Sequence, residues 1–207
     1  MGFDLYGLNP QEHSSLSENA IKFQDKDGWA MFDKMDDKDK EAYFNAQDKY
    51  REENPGYYFR NNVWWWRPLW EFVCTSCDDF LTHKDMDKGG YNDGKKISKT
   101  KSLKISKRLS KLIADGTVDM LERRSTLAIE KAKAHNKEVR KEMDRISDEC
   151  KEKHGKDLVP ANYPEPYKSQ WDDAYSKEDW TSSYPFNADN VKVFATFCQQ
   201  SGGFEIC

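Results

Sequence analysis

The chain is poor in aliphatic residues and has no long apolar run. Hydrophobic residues make up 37% of its 207 positions against 34% charged, and no uninterrupted apolar stretch exceeds four residues, as in VWWW at residues 63–66. A membrane-spanning helix needs about 20 such residues, so no span and no membrane partner are expected. Cysteine is sparse as well: Cys74, Cys77, Cys150, Cys198 and Cys207 form an odd set that matches no disulfide framework. The opening residues Met1 to Tyr6 have neither the basic nor the apolar region of a secretory signal, and Tyr6 stands where a myristoylation motif requires Ser or Thr. These absences lead us to expect a cytoplasmic protein with reduced thiols.

Catalytic and metal signatures are missing too. There is no phosphate-binding glycine loop, no nucleophile elbow and no zinc-hydrolase pattern. The Cys74-x-x-Cys77 pair has no second half, and His83, His135 and His154 stand alone. Buried structural thiols are therefore expected, with no metal and no cofactor. For hydrolytic chemistry, Asp4, His13 and the Tyr91–Asn92–Asp93 turn are the positions to test.

Aromatic residues are plentiful: 7 Trp, 10 Tyr and 11 Phe amount to 14% of the chain. Each ring can bury roughly 150–250 Å², so the rings can build much of the core that the aliphatics cannot. Charge is unevenly spread. Residues 1–56 carry 13 acidic and 7 basic side chains, whereas residues 94–114 carry 8 basic and no acidic ones. The basic set comprises Lys95, Lys96, Lys99, Lys101, Lys104, Lys107, Arg108 and Lys111. It is either a solvated helix face balanced by the acidic N-terminal part or a set of phosphate contacts. Overall acidity argues against nucleic acid as the main partner.

The pattern of residues indicates a mainly α (α+β) fold in a single domain spanning residues 1–207. Phe3 to Tyr6 alternates as a short strand. Residues 36–53 read as a charged helix with Tyr43, Phe44, Gln47 and Tyr50 on one side, closed by Asn54-Pro55-Gly56. Pro68 suits the first turn of a helix, followed by the apolar stripe Leu69, Phe72, Val73 and Cys77 and then Phe80 or Leu81. Residues 57–67 are either an extended approach to that helix or a helix kinked at the proline. A dense turn at residues 89–94 precedes a helix over 97–114 with Ile105, Leu109, Leu112 and Ile113 turned inward.

A long charged helix is expected over 118–153, protruding or mediating oligomerisation. Its least polar seam runs Leu121, Ser125, Ala128, Ala132, His135, Val139, Met143, Ile146 and Cys150, too polar in the middle for a strong coiled coil. It suits half of an antiparallel hairpin or a weak dimer contact. Residues 155–185, with four prolines, read as a wrapping loop. Asn187 or Asp189 can cap a last helix containing Val191, Phe194, Ala195 and Cys198, stopped by Gly202 and Gly203. The final Phe204 to Cys207 is strand-like and can pair with Phe3 to Tyr6, placing both ends in one small sheet.

The densest chemistry lies in residues 57–70. Arg60 and Arg67 offer planar, permanently charged forks suited to phosphate or carboxylate. Asn61 and Asn62 supply donors and acceptors for a base or ribose edge. Tyr58, Trp64, Trp65 and Trp66 offer faces on which a base can stack for roughly 1–3 kcal/mol. Three adjacent tryptophans cannot all point one way on a regular element, so some are expected at the surface or lining a cavity. Tyr91, Asn92, Asp93 and Lys95 complete the candidate ligand-binding set. Burial in the core and pairing of the arginines with acids is the plain alternative.

The strings GFDLYGLNP (2–10), YFRNNVWWWRPLW (58–70), YNDG (91–94) and SGGFEI (201–206) resemble a family of small proteins encoded by tailed bacteriophages and prophages. The likeness covers both ends and the centre, about a quarter of the chain, and leaves out the lysine-rich helix, the long helix and the Cys-x-x-Cys pair. It implies a protein acting in the cytoplasm of an infected bacterium and brings no established reaction. By analogy, small phage proteins with aromatic and arginine-lined pockets include sponges that sequester nucleotide-derived immune signals, such as cyclic nucleotides or ADP-ribose derivatives. The expected function is thus a non-enzymatic, homo-oligomeric binder of a nucleotide-like anionic small molecule. A hydrolase of such a signal and a module binding a host or phage protein are the alternatives.

Overall fold

The computed structural model of the protein describes residues 2–26 and 28–207. In chain order the elements are β1 (Gly2–Gly7), α1 (Glu18–Ile21), α2 (Asp37–Glu53), β2 (Tyr58–Asn62), α3 (Val63–Ser76), α4 (His83–Lys88), β3 (Lys95–Ser98), α5 (Lys99–Ala114), α6 (Thr117–His154), α7 (Tyr167–Tyr175), α8 (Ala188–Gln200) and β4 (Gly203–Ile206). The fold is mainly helical with one small antiparallel sheet of strand order β2-β1-β4-β3. The chain divides into two compact units: residues 1–119 with 187–207, and residues 120–186.

In the first unit both ends of the chain meet in the sheet. Leu5 lies opposite Ile206 and Tyr6 opposite Glu205, while Asp4 and Cys207 exchange both backbone hydrogen bonds. Strand alternation sends Phe3, Leu5, Phe59, Ile97, Phe204 and Ile206 to a buried face. Against that face pack α3, α5 and α8, contributing Trp66, Leu69, Val73, Ile105, Leu109, Phe194 and Phe197. Rings supply a large share of this core. Trp66 stacks between Phe3 and Trp70, each centroid 5.3 Å away, and meets Phe194 edge-on at 5.7 Å. Where α5 meets α8, the buried Ser102 hydroxyl donates to the Cys198 carbonyl at 2.6 Å.

Gly202 and Gly203 end α8 and turn the chain into β4 with φ of +65° and +96°, a region that side-chain-bearing residues rarely adopt. A Cβ on Gly202 would also stand 2.0 Å from the Asn9 carbonyl oxygen.

Three local expectations are revised. The helix holding Pro68 begins five residues before it, at Val63, so the proline lies inside α3 and the residues upstream form strand β2. Residues 95–98 form β3 rather than the approach to a helix starting at Ile97. Residues 155–185 are not all loop: α7 occupies Tyr167–Tyr175, with Tyr167, Trp171 and Ala174 at helical spacing.

In the second unit the α6 seam is covered by the chain's own return. Ile146 and Cys150 pack with Tyr163, Tyr167 and Ala174, joined by Met143, Leu158 and Trp171. Further up the helix, Asn136 forms two hydrogen bonds with the Asp179 backbone at 2.8 and 2.7 Å. Ser125 accepts from the Phe186 amide at 3.1 Å. Among the described residues no helix is long and apolar enough to cross a membrane.

Candidate functional site

The segment that carries the candidate residues changes from strand to helix at one side chain. Along β2 only Phe59 is buried, and Arg60 and Asn62 are exposed. Asn62 then takes an extended conformation, and its Oδ1 accepts from the Trp65 amide at 3.0 Å. An asparagine N-cap of this kind satisfies one of the amides that a helix start leaves without a partner. Each further residue advances by about 100°, so the three tryptophans diverge. Trp66 is fully buried, whereas Trp64 and Trp65 keep 44% and 37% of their surface.

The same device recurs at the start of α8. Asn187 Oδ1 accepts from the Asn190 amide at 2.8 Å. Asn190 in turn accepts from Asn61 Nδ2 at 3.1 Å, which ties the end of β2 to the first turn of α8. The two helix starts open into one shallow groove of about 580 Å³, lined by Arg60, Asn61, Asn62 and Trp65 on one side and by residues of α8 and its cap on the other. The positive ends of two helix dipoles face this space, and so does the Arg60 side chain, which is 68% exposed. Asp189 and Val193 complete the α8 wall, with Asp189 held by Lys192 at 2.9 Å.

Arg60 is steadied from behind. Its Nε lies 3.5 Å from Asp4 Oδ1, across the β1–β2 pair that sets Asp4 opposite Arg60. The Tyr58 hydroxyl donates to the same carboxylate. Burial, and then this hydrogen bond to Asp4, push the Tyr58 phenol well above its usual range, so it stays protonated as a donor. The Tyr58 ring lies between the Arg51 guanidinium, 4.5 Å from its centroid, and the Tyr6 ring at 5.3 Å.

The other candidate residues go elsewhere. Trp66 belongs to the core, where its Nε1 donates to the Gly89 carbonyl at 2.9 Å, so its faces are taken by protein. Arg67 and Trp64 sit at exposed positions of α3 and are not among the residues lining the groove. In the turn after α4, Asn92 donates to the Gly2 carbonyl. Asp93 pairs with Lys88 at 2.9 Å, and Lys88 also lies over the exposed Tyr91 ring. Lys95 is drawn to the buried Asp85 at 2.6 Å, together with Lys101. Burial alone would raise the Asp85 pKa, but hydrogen bonds from Lys101, Lys95 and Thr82 outweigh it and hold the carboxyl well below the usual range.

The α8 residues Asn187, Asp189, Asn190 and Val193 were missing from the sequence-based site. Asn187 was legible as a cap, but nothing in the sequence announces that two capped helix starts converge. Burial pushes the Cys74 and Cys77 thiols up to about 12, and His13 is engaged by Gln200 at 2.9 Å. Among the described residues no group of three or more His, Cys, Asp or Glu side chains is placed to hold a metal ion. No protein-family model, no curated protein and no solved structure matches the chain.

Proposed function

We propose that the groove between the β2–α3 junction and the start of α8 captures a nucleotide-like anion and holds it without turnover. One observation carries this reading: two helix N-termini and an exposed, backed-up guanidinium open into the same space beside the half-exposed face of Trp65. Helix starts and arginine both favour phosphate or carboxylate, and an indole face takes a planar base. The Asp189 carboxylate, an acceptor, suits sugar hydroxyls. The one carboxylate lining the groove, Asp189, is held by Lys192 at 2.9 Å, and the other lining residues supply no nucleophilic side chain, which favours binding over hydrolysis.

The resemblance of the YFRNNVWWWRPLW block to phage-encoded proteins extends the proposal. The protein would act inside an infected bacterium as a sponge for a cyclic nucleotide or ADP-ribose-like immune signal, counteracting anti-phage defence. A homo-oligomer belongs to the same reading. Met120 and Leu127, one heptad apart on α6 and 51% and 58% exposed, offer apolar surface for it.

The test incubates the purified protein with a panel of cyclic dinucleotides, cyclic mononucleotides and ADP-ribose derivatives, reads the melting temperature, and then heat-denatures the complex. A melting rise with one of them, and its recovery unchanged, supports capture. A chemically altered molecule assigns a hydrolase instead. No rise with any of them, alongside co-purification of a bacterial or phage protein, would sink the proposal in favour of an interaction module.

A further inference from the structure

The basic segment of α5 is not uniformly matched by acids. In β3 and the first turn of α5, Lys95 and Lys101 pair with Asp85, and Lys96 with Glu205 at 3.5 Å. Further along, Lys104, Lys107, Arg108 and Lys111 line a second groove of about 580 Å³, whose other wall is Asp79 and Phe80. Among the described residues Lys104 and Lys107 have no carboxylate within ion-pair distance. A merely solvated lysine face requires neither a concave wall nor an anchored arginine, and this groove has both. Arg108 is pinned by two hydrogen bonds to the Asp79 carboxylate, at 3.1 and 3.0 Å, and by a third to the Ser76 carbonyl. The Phe80 ring lies under both the Arg108 guanidinium and the Lys104 ammonium, at 5.8 and 5.5 Å.

We propose that this groove is an independent binding site for an oligophosphate chain, the phosphates of a small molecule carrying two or more in a row. Four cations face one carboxylate there, so the lining holds a net positive charge that a multivalent anion would neutralise. Lys104 to Lys111 spans seven residues, about 10 Å along the helix axis, so the row can offer cations to several phosphates in succession. The volume suits a small ligand. Arg108, already fixed in place, loses little freedom on binding.

The phosphate backbone of a single nucleic-acid strand shares this chemistry, so the experiment separates the two sources. Isothermal titration of the full chain with tripolyphosphate and with orthophosphate, in about 0.1 M salt where surface charges are screened beyond roughly 10 Å, gives the first arm. Tripolyphosphate should bind at least about tenfold more tightly than orthophosphate, and the double variant Lys104→Gln/Lys107→Gln should weaken it at least about tenfold. Lys99→Gln, exposed and outside the lining of this groove, should leave it unchanged. Equal binding of the two anions, or full affinity in the double variant, would overturn the site. In the second arm, a deoxythymidine oligomer that displaces tripolyphosphate and tightens with length would overturn the small-molecule assignment in favour of a strand. Both lysines are exposed, and an unchanged melting curve for the double variant without ligand confirms that it still folds.

Discussion

Asn61 and Asn190, separated by 129 positions, are joined by a side-chain hydrogen bond of 3.1 Å. That contact sets the end of an edge strand against the first turn of the last long helix. The groove lies where this join spans two capped helix starts.

Arg60 is the residue on which ligand capture turns. Arg60→Ala should weaken binding of the captured nucleotide by about 1.5–3 kcal/mol, the usual range for a charge-assisted hydrogen bond. Because the side chain is 68% exposed, stability should change by no more than about 0.5 kcal/mol. Arg67→Ala should leave affinity intact. Titration calorimetry of both variants decides, and equal losses would mean that the groove is wrongly placed.

Asn62→Ala removes the cap of α3 and should cost about 1 kcal/mol of stability, read as a lowered urea midpoint. Asn62→Asp keeps an acceptor at that position and should restore most of the loss. A midpoint unmoved by Asn62→Ala would show that α3 does not depend on its cap.

Gly89→Ala tests the tryptophan core. The φ of Gly89 is an ordinary −66°, so only space demands glycine there: a Cβ would stand 2.1 Å from the Trp70 ring. Overpacking of this kind costs about 1–3 kcal/mol. Thermal melts followed by tryptophan fluorescence should show a lower midpoint, and an unchanged one would mean that Trp70 shifts freely.

Asp85 should make the protein acid-sensitive. Its folded pKa is depressed, so the stability it provides is complete above about pH 4, the unfolded range for Asp, and is lost as pH falls through the folded value. Asp85→Asn leaves Lys95 and Lys101 facing a buried neutral group and should cost about 3 kcal/mol at pH 7. Urea midpoints between about pH 5 and pH 2 should fall less steeply for the variant than for the natural chain. Parallel slopes would remove Asp85 from the acid response.

Much of the architecture is local in origin and could be read from residue order. The alternation in Phe3 to Tyr6 and Phe204 to Cys207 foretold two strands, and the sheet pairs them. The cap at Asn187 and the stops at Gly202 and Gly203 framed α8. Heptad-like spacing gave α6 to within a residue or two. Such features follow from capping, turn chemistry and periodicity, which neighbouring residues settle among themselves.

Pro68 shows where that reasoning fails. Proline deletes the hydrogen bond that the Trp64 carbonyl would accept and costs roughly 3 kcal/mol inside a helix, so the first turn is its natural place, with a helix kinked at the proline as the alternative. The helix begins at Val63 because Asn62 caps it and because burial of Trp66 among Phe3, Trp70 and Phe194 outweighs the penalty. Likewise, three consecutive tryptophans are equal on paper, and only the packing of β1 and α8 decides that Trp66 goes inside while Trp65 faces the groove.

The sequence by itself determined the helical class, the strand character of the two ends, and the clustering of aromatic and guanidinium groups early in the chain, because these depend on short-range pattern. Which of those groups share a space was decided only by tertiary structure. The α8 residues that complete the groove lie more than a hundred positions downstream of β2, and a strand-to-helix corner and a helix start meet only when a common core draws them together.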